Sequence, residues 1–319
     1  MASILNHLLH ITNFKSPLLR TIVPSVGAAF AIQAAAGLPS VLAGTERFFD
    51  FSGSLTYLAA GALSLYLPAL RNSISSSRHV LSSPNWRQVV VTGMAMTWAA
   101  RLGYYLFDRI TKDEGKDPRF EKLRTQPVRF AASFLVQAMW VSLMLMPVFA
   151  LNAVPAAALP TAVTLTDVLG ISVWAGGLAL ESAADWQKSR WVQRKKDKQH
   201  DEEFLSTGLF ALSRFPHYFG EISLWTGLAT AAAGALARTP VQLALGFPAA
   251  AVVGGGSLVT RGVLATTALA FTAPAFSAFL LTKVSGIPLT EERHDKRLGG
   301  NKEYQQWKKD TPKLVPKLW

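Results

Sequence analysis

The chain has 319 residues, half of them hydrophobic and only 16% charged, with no cysteine and a formal net charge of +12. Soluble domains carry about a quarter charged residues, so an ordinary cytosolic domain and a disordered chain are excluded; disulfides, iron–sulfur clusters and thiolate–zinc sites fall with the missing cysteine. The surplus of 32 Lys+Arg over 20 Asp+Glu fits the basic cytoplasmic loops of a membrane protein better than a nucleic-acid surface.

Apolar stretches of roughly 20 residues recur along the chain, each enough to cross a hydrocarbon core about 30 Å thick. They place membrane spans near 21–43, 52–70, 88–107, 128–151, 163–184, 222–237 and 263–282. The expected fold is therefore an all-α, polytopic membrane helical bundle of about seven transmembrane helices. The stretch 240–260 is apolar too, but Pro248 and Gly254-Gly255-Gly256 make it a poor helix, and it reads as a loop, re-entrant element or extension. With seven spans, the basic segments 109–129, 188–214 and 283–317 share one side, which places the C-terminus in the cytoplasm.

The N-terminus lacks the compact pattern of a cleavable signal, so a first span that targets the endoplasmic reticulum is expected. The absence of acid before Glu46 makes a mitochondrial membrane the alternative. No internal repeat is visible. The mixed-sign run from Arg194 to Glu203 reads as a solvated helix extension, not a nucleic-acid patch.

Ionisable groups at the bilayer centre are costly and usually face a cavity or a partner. Trp98, Arg101, Tyr105 and Asp108 share one face of the third span, either as the polar wall of a substrate or cofactor cavity or as packing with a snorkelling arginine. Glu181, Asp185 and Lys188 share a face at the end of the fifth, suited to hydroxyl binding or to a helix end emerging into headgroups. The segment Gly208 to Glu221 gathers Arg214, His217, Tyr218 and Glu221 immediately before the sixth span; Arg214 supplies a planar fork suited to phosphate. The tail holds Ser285-Gly286-Ile287-Pro288, Glu292 and Tyr304, and reads as a lid folded over the preceding loop or as an amphipathic surface helix. The six histidines form no zinc-ligand set, so no metal is expected. Phosphate-loop, dinucleotide and nucleophile-elbow signals are missing.

Taken in order, Glu181…Asp185-Trp186-Gln187-Lys188, Gly208-Leu209-Phe210…Arg214…Tyr218-Phe219-Gly220-Glu221 and Ser285-Gly286-Ile287-Pro288-Leu289…Glu292 resemble the DUF1295 membrane family, which is similar to the C-terminal domain of steroid 5-alpha-reductases. Arg101-Leu102…Tyr105-Leu106…Arg109, Gly115-Lys116-Asp117-Pro118-Arg119-Phe120 and Arg124…Gln137…Trp140-Val141 belong to the same resemblance. It covers about residue 90 to the end and divides the chain into N-terminal spans, 1–87, and a reductase-like membrane domain, 88–319.

The resemblance implies a membrane reductase that binds NADPH from the cytoplasmic side and reduces an activated double bond in a lipid of steroid enone or enoyl type. Glu181, Asp185, Arg214, His217, Tyr218 and Glu221 are then expected to line the cofactor site, and Glu292 and Tyr304 in the tail join them as candidates. Tyr105 is the candidate proton donor, with Arg101 orienting it. Where the family motif usually reads Arg-His-Pro-Asn-Tyr, this chain has Arg214-Phe215-Pro216-His217-Tyr218. Leu65-Tyr66-Leu67-Pro68 carries no carboxyl where steroid reductases have Gln-Glu-Leu-Pro, so a 3-oxo-steroid fits poorly. Two other readings remain open. The tail pattern Glu291-Glu292…Gly299…Tyr304…Pro316 is similar to isoprenylcysteine and phospholipid methyltransferases, which use S-adenosylmethionine; a non-enzymatic lipid-binding membrane protein is the third.

Overall fold

The computed structural model describes residues 2–75, 83–112, 117, 120–247 and 257–317, and it is all-α, with no strand among them. The helices are α1 (Ala2–Ile11), α2 (Pro17–Leu42), α3 (Phe49–Ser75), α4 (Trp86–Lys112), α5 (Pro127–Met144), α6 (Met146–Asn152), α7 (Leu165–Lys196), α8 (Leu209–Leu212), α9 (Pro216–Leu236), α10 (Thr239–Ala244), α11 (Ser257–Phe279), α12 (Gly286–Leu298) and α13 (Lys302–Asp310). Every one of the seven expected spans falls on helix. Among the described residues, four helical stretches are long and apolar enough to cross a membrane: Pro17–Leu42, Phe49–Arg71, Pro127–Met144 and Arg261–Leu298. The protein is a multi-pass membrane protein. Helices α4 and α7, on two of the other expected spans, are less apolar.

The side-chain distribution on α2 is inverted relative to a soluble helix. Its buried positions are Thr21, Ser25, Ala29, Gln33, Gly37 and Ser40, spaced by about one turn, while Leu19, Val23, Leu38 and Leu42 point outward. Lipid is as apolar as leucine, so membrane helices associate through small residues and interhelical hydrogen bonds instead. Gln33 Nε2 accordingly donates to Thr56 Oγ1 of α3 at 2.8 Å. Asn152 of α6 donates to Ser64 of α3 at 2.9 Å and to Thr92 of α4 at 3.1 Å.

The expected span 128–151 is two helices. Pro147 lacks an N–H and its ring clashes with a carbonyl one turn back, and the chain breaks at Leu145, with Pro147 in the first turn of α6. The stretch from 240 begins with the short helix α10 and the left-handed Gly246; Pro248 and Gly254-Gly255-Gly256 lie outside the described residues, as do Gly115, Lys116, Pro118 and Arg119.

The chain forms two compact units, 1–167 with 230–273, and 168–229 with 274–319. In the first unit α2 packs on α3 and α5, α3 on α4, and α6 on α2, α3 and α4. At one end Glu46 is clamped by Arg124 at 2.7 Å and 2.8 Å and by the Asp117 N–H at 2.8 Å. At the other, Arg87 and Asp167 form a fully buried ion pair at 2.6 Å, and Gln88 holds the carbonyls of Leu151 and Val154. Polar contacts that alternate between the ends of successive helices are what antiparallel neighbours require.

Candidate functional site

The second unit is organised by glycines that bring α7 and α9 into backbone contact. A Cβ at Gly177 would stand 2.6 Å from the Leu224 nitrogen and 2.7 Å from the Gly220 carbonyl oxygen. A Cβ at Gly220 would stand 2.7 Å from the Glu181 nitrogen, and one at Gly227 2.4 Å from the Trp174 nitrogen. No side chain fits between such surfaces. The contact fixes buried Glu181 against the start of α9, where His217, Tyr218 and Glu221 lie within the first two turns.

Arg214 precedes that helix. Its guanidinium meets Glu291 Oε1 at 2.5 Å, and Lys313 reaches Glu291 Oε2 at 3.0 Å. The Nε of Arg214 is buried and has no hydrogen-bond partner. The tail closes over this segment as the lid reading expects: Arg214 N–H donates to Pro312 O and Lys317 N–H to Leu212 O, both at 2.9 Å, and Ser213 Oγ donates to Leu314 O at 2.8 Å. Trp307 Nε1 donates to Phe210 O at 3.1 Å.

His217 is buried among rings, with Tyr218 at 4.1 Å, Phe210 at 6.0 Å and Phe215 at 6.3 Å. Burial and the Lys188 charge hold its pKa well below the usual imidazole value, so it is neutral at pH 7, and its Nδ1 has no partner. Phe215 stacks on Tyr218, with centroids 5.7 Å apart and planes 13° apart. Close approach to Tyr218 accounts for the glycine of the Ser285-Gly286-Ile287-Pro288 motif: a Cβ at Gly286 would stand 2.9 Å from the Tyr218 ring. A π-helical turn at Leu280–Val284, closed by Ser285 N–H to Leu280 O at 2.9 Å, delivers Gly286 there. Extra-residue turns of this kind recur at functional sites. Glu221 accepts from Ser277 Oγ at 3.1 Å.

The structure thus brings Glu181, Arg214, His217, Tyr218 and Glu221 into one unit with the Gly286 motif and the tail, and Asp185 lies one turn beyond Glu181 on α7. Glu292 points away: it is 61% exposed and pairs with Lys296 of its own helix. The carboxylate that meets Arg214 is Glu291, one residue earlier. Tyr304 is buried; its hydroxyl donates to Asp295 at 2.9 Å, and burial together with that carboxylate pushes the phenol pKa up. Tyr105 and Arg101 are half-buried on α4 in the first unit, whose face there is built from Trp98, edge-on to Tyr57 at 5.5 Å, with Trp140 at 6.2 Å.

Sequence reasoning overlooked a cleft of about 370 Å3 lined by Trp186, Gln187, Arg190, Arg194, Thr207 and Gly208. The Arg190 guanidinium stands 5.1 Å from the Trp186 ring, a cation–π distance. The legible signal was the spacing of Trp186, Arg190 and Arg194, which puts one aromatic and two cations on a single helix face. Gly208 at the cleft edge needs its left-handed φ of +61° and its missing side chain, because a Cβ would stand 2.7 Å from Gln187 Oε1, the atom that accepts the Leu209 N–H at 3.0 Å. Among the described residues no cluster of His, Asp or Glu is arranged to hold a metal ion.

No curated protein and no solved structure matches the chain. The family described as a protein of unknown function, DUF1295, matches residues 40–253 and 254–311. That match spans most of the chain and includes the Glu181, Arg214 and Gly286 blocks, and the protein belongs to the DUF1295 family.

Proposed function

We propose that the protein is an integral membrane reductase that uses NADPH to reduce a carbon–carbon double bond in a lipid. The observation that carries this reading is the buried Arg214, whose Nε is left without a partner beneath a tail that closes over it. A guanidinium retains its charge and offers parallel donors to phosphate oxygens, and Arg190 and Arg194 add two further cations beside an exposed indole in a cleft of the same unit. The residue types fit a dinucleotide: Arg214, Arg190 and Arg194 would hold phosphates, while Glu181 and Asp185 would accept from hydroxyls or orient basic neighbours. The neutral His217, with an unpaired buried Nδ1, would accept one donor from the cofactor. NADPH supplies a hydride when bound. Reduction of a conjugated lipid at its β-carbon would build charge on the carbonyl oxygen, and Tyr105 is the proposed donor to that oxygen, kept oriented by Arg101.

The cofactor half is tested by thermal unfolding of the purified protein. NADPH is expected to raise Tm more than S-adenosylmethionine does, and Arg214→Ala to remove the difference. The variant keeps Glu291 paired, because Lys313 already contacts the other carboxylate oxygen, so loss of the shift reports binding and not an orphaned charge. A shift with S-adenosylmethionine alone would replace the reductase with a methyltransferase, and no shift with either would leave a lipid-binding membrane protein.

The chemical half is tested by turnover of a lipid enone. Tyr105→Phe is expected to lower kcat by roughly 10²-fold, the scale of one lost oxyanion donor, with the NADPH shift in Tm unchanged. A Phe variant with full activity removes Tyr105 from the mechanism.

A further inference from the structure

The end of the first unit that carries the Arg87–Asp167 pair holds a second set of charges that no acid meets among the described residues. A cavity of about 370 Å3 lies there among Pro17, Arg20, Leu65, Pro68, Arg71 and Gln88. Arg71 is pinned by uncharged acceptors: Leu9 O at 2.5 Å, Thr12 O at 3.1 Å, Thr12 Oγ1 at 2.7 Å and Arg20 O at 3.3 Å. Arg20 Nε likewise donates to a carbonyl, Phe14 O, at 3.0 Å. Carbonyls orient a guanidinium without neutralising it, and the Nε of Arg71 remains buried with no partner.

The sequence explains why no carboxylate arrives. There is no Asp or Glu before Glu46, none from 51 to 107, and none from 122 to 166. Glu46 and Asp167 are committed to Arg124 and Arg87. Among the described residues no carboxylate pairs with Arg20 or Arg71, whose acceptors are carbonyl and hydroxyl oxygens, so both cations are open to a counter-charge from outside the chain.

Their position indicates its source. Arg20 lies in the first turn of the membrane-length helix Pro17–Leu42, and Arg71 closes the membrane-length stretch Phe49–Arg71. Cations at the ends of spans sit at the level of lipid headgroups. Leu65 and Pro68 continue the cavity wall along α3 toward the hydrocarbon, giving an apolar surface next to the paired cations. We propose that this cavity binds the phosphate of an anionic membrane lipid headgroup, with Arg20 and Arg71 as its two cationic partners.

The test uses the full-length protein, purified and delipidated in detergent, with Tm followed during titration of dioleoyl phosphatidylglycerol, dioleoyl phosphatidylcholine or inorganic phosphate. Phosphatidylglycerol at a hundredfold excess over Kd is expected to raise Tm by about 5 °C, phosphatidylcholine by much less. Arg20→Gln should remove most of that rise, whereas Arg261→Gln, an exposed arginine that does not line the cavity, should keep it. Arg71→Gln also frees four backbone and hydroxyl acceptors, so Arg20→Gln is the deciding variant. An equal rise with inorganic phosphate would keep the anion site but assign it to a soluble ligand. Equal rises with both lipids, no rise with phosphatidylglycerol, or a full rise in Arg20→Gln would overturn the proposal. None of these outcomes bears on the response to NADPH, which reads residues of the other unit.

Discussion

Asp167→Ala is expected to destabilise the protein by about 3–5 kcal/mol, the cost of leaving one member of a buried ion pair without its partner. Both carboxylate oxygens of Asp167 accept from Arg87, with Nε at 2.9 Å and 3.1 Å and Nη2 at 2.6 Å. The same carboxylate accepts from the N–H and hydroxyl of Thr164, each at 2.7 Å. Arg87 also holds the carbonyls of Pro160 and Ala162, so the pair fastens α4 to the turn that leads into α7. Removing Asp167 strands a guanidinium that is 2% exposed and frees two donors of Thr164. The measurement is unfolding in detergent by heat or denaturant. The double variant Arg87→Met, Asp167→Leu should recover much of the loss, since apolar side chains of similar volume often replace a buried pair at little cost. A single variant as stable as the parent would show that water reaches the site and that the pair is not desolvated.

That pair also marks a limit of sequence reading. Arg87 and Asp167 are separated by 80 residues, and neither lies in a periodic pattern that points to the other. Helix positions were legible because apolar composition over 20 residues is a local property: all seven expected spans are helical. The fine breaks were not. Pro147 divides the fourth segment, although Pro24, Pro39, Pro68 and Pro274 are carried inside α2, α3 and α11, and sequence alone does not say which proline breaks a helix.

The candidate site divides in the same way. The order of its blocks was legible as a family pattern, and the tail does fold back on Leu212-Ser213-Arg214. The choice between neighbouring acids was not: Glu291 and Glu292 differ by about 100° around one helix, and only packing decides that Glu291 meets Arg214 while Glu292 faces outward. The resemblance alone does not say what Phe215 does in place of the usual His. In the structure its ring stacks on Tyr218, so an apolar stack occupies that position.

Two adjacent glycines on α7 should respond in opposite directions to the same change. Gly176 is exposed, and a Cβ there meets nothing within 4 Å. Alanine restricts the unfolded chain and favours helix, so Gly176→Ala should be neutral or stabilising, by up to about 1 kcal/mol. Gly177 is buried, and its added Cβ would stand 2.6 Å from the Leu224 nitrogen, 2.7 Å from the Gly220 carbonyl oxygen and 3.0 Å from the Leu224 Cα. All three atoms are backbone of α9, so no rotamer change relieves the overlap, and the helices must separate. Overpacking of this kind typically costs 1–3 kcal/mol, and the rigid partners place Gly177→Ala near the upper end, about 3 kcal/mol. Separation also withdraws the Glu181 backbone from Gly220, where the present gap leaves 2.7 Å for a Cβ. The NADPH-dependent rise in Tm should therefore shrink in Gly177→Ala and persist in Gly176→Ala, although alanine at position 177 touches no proposed cofactor contact. Unfolding of the two variants side by side, with and without NADPH, checks both effects. Equal stabilities would mean that α7 and α9 part freely and that the close backbone contact does not hold the site together.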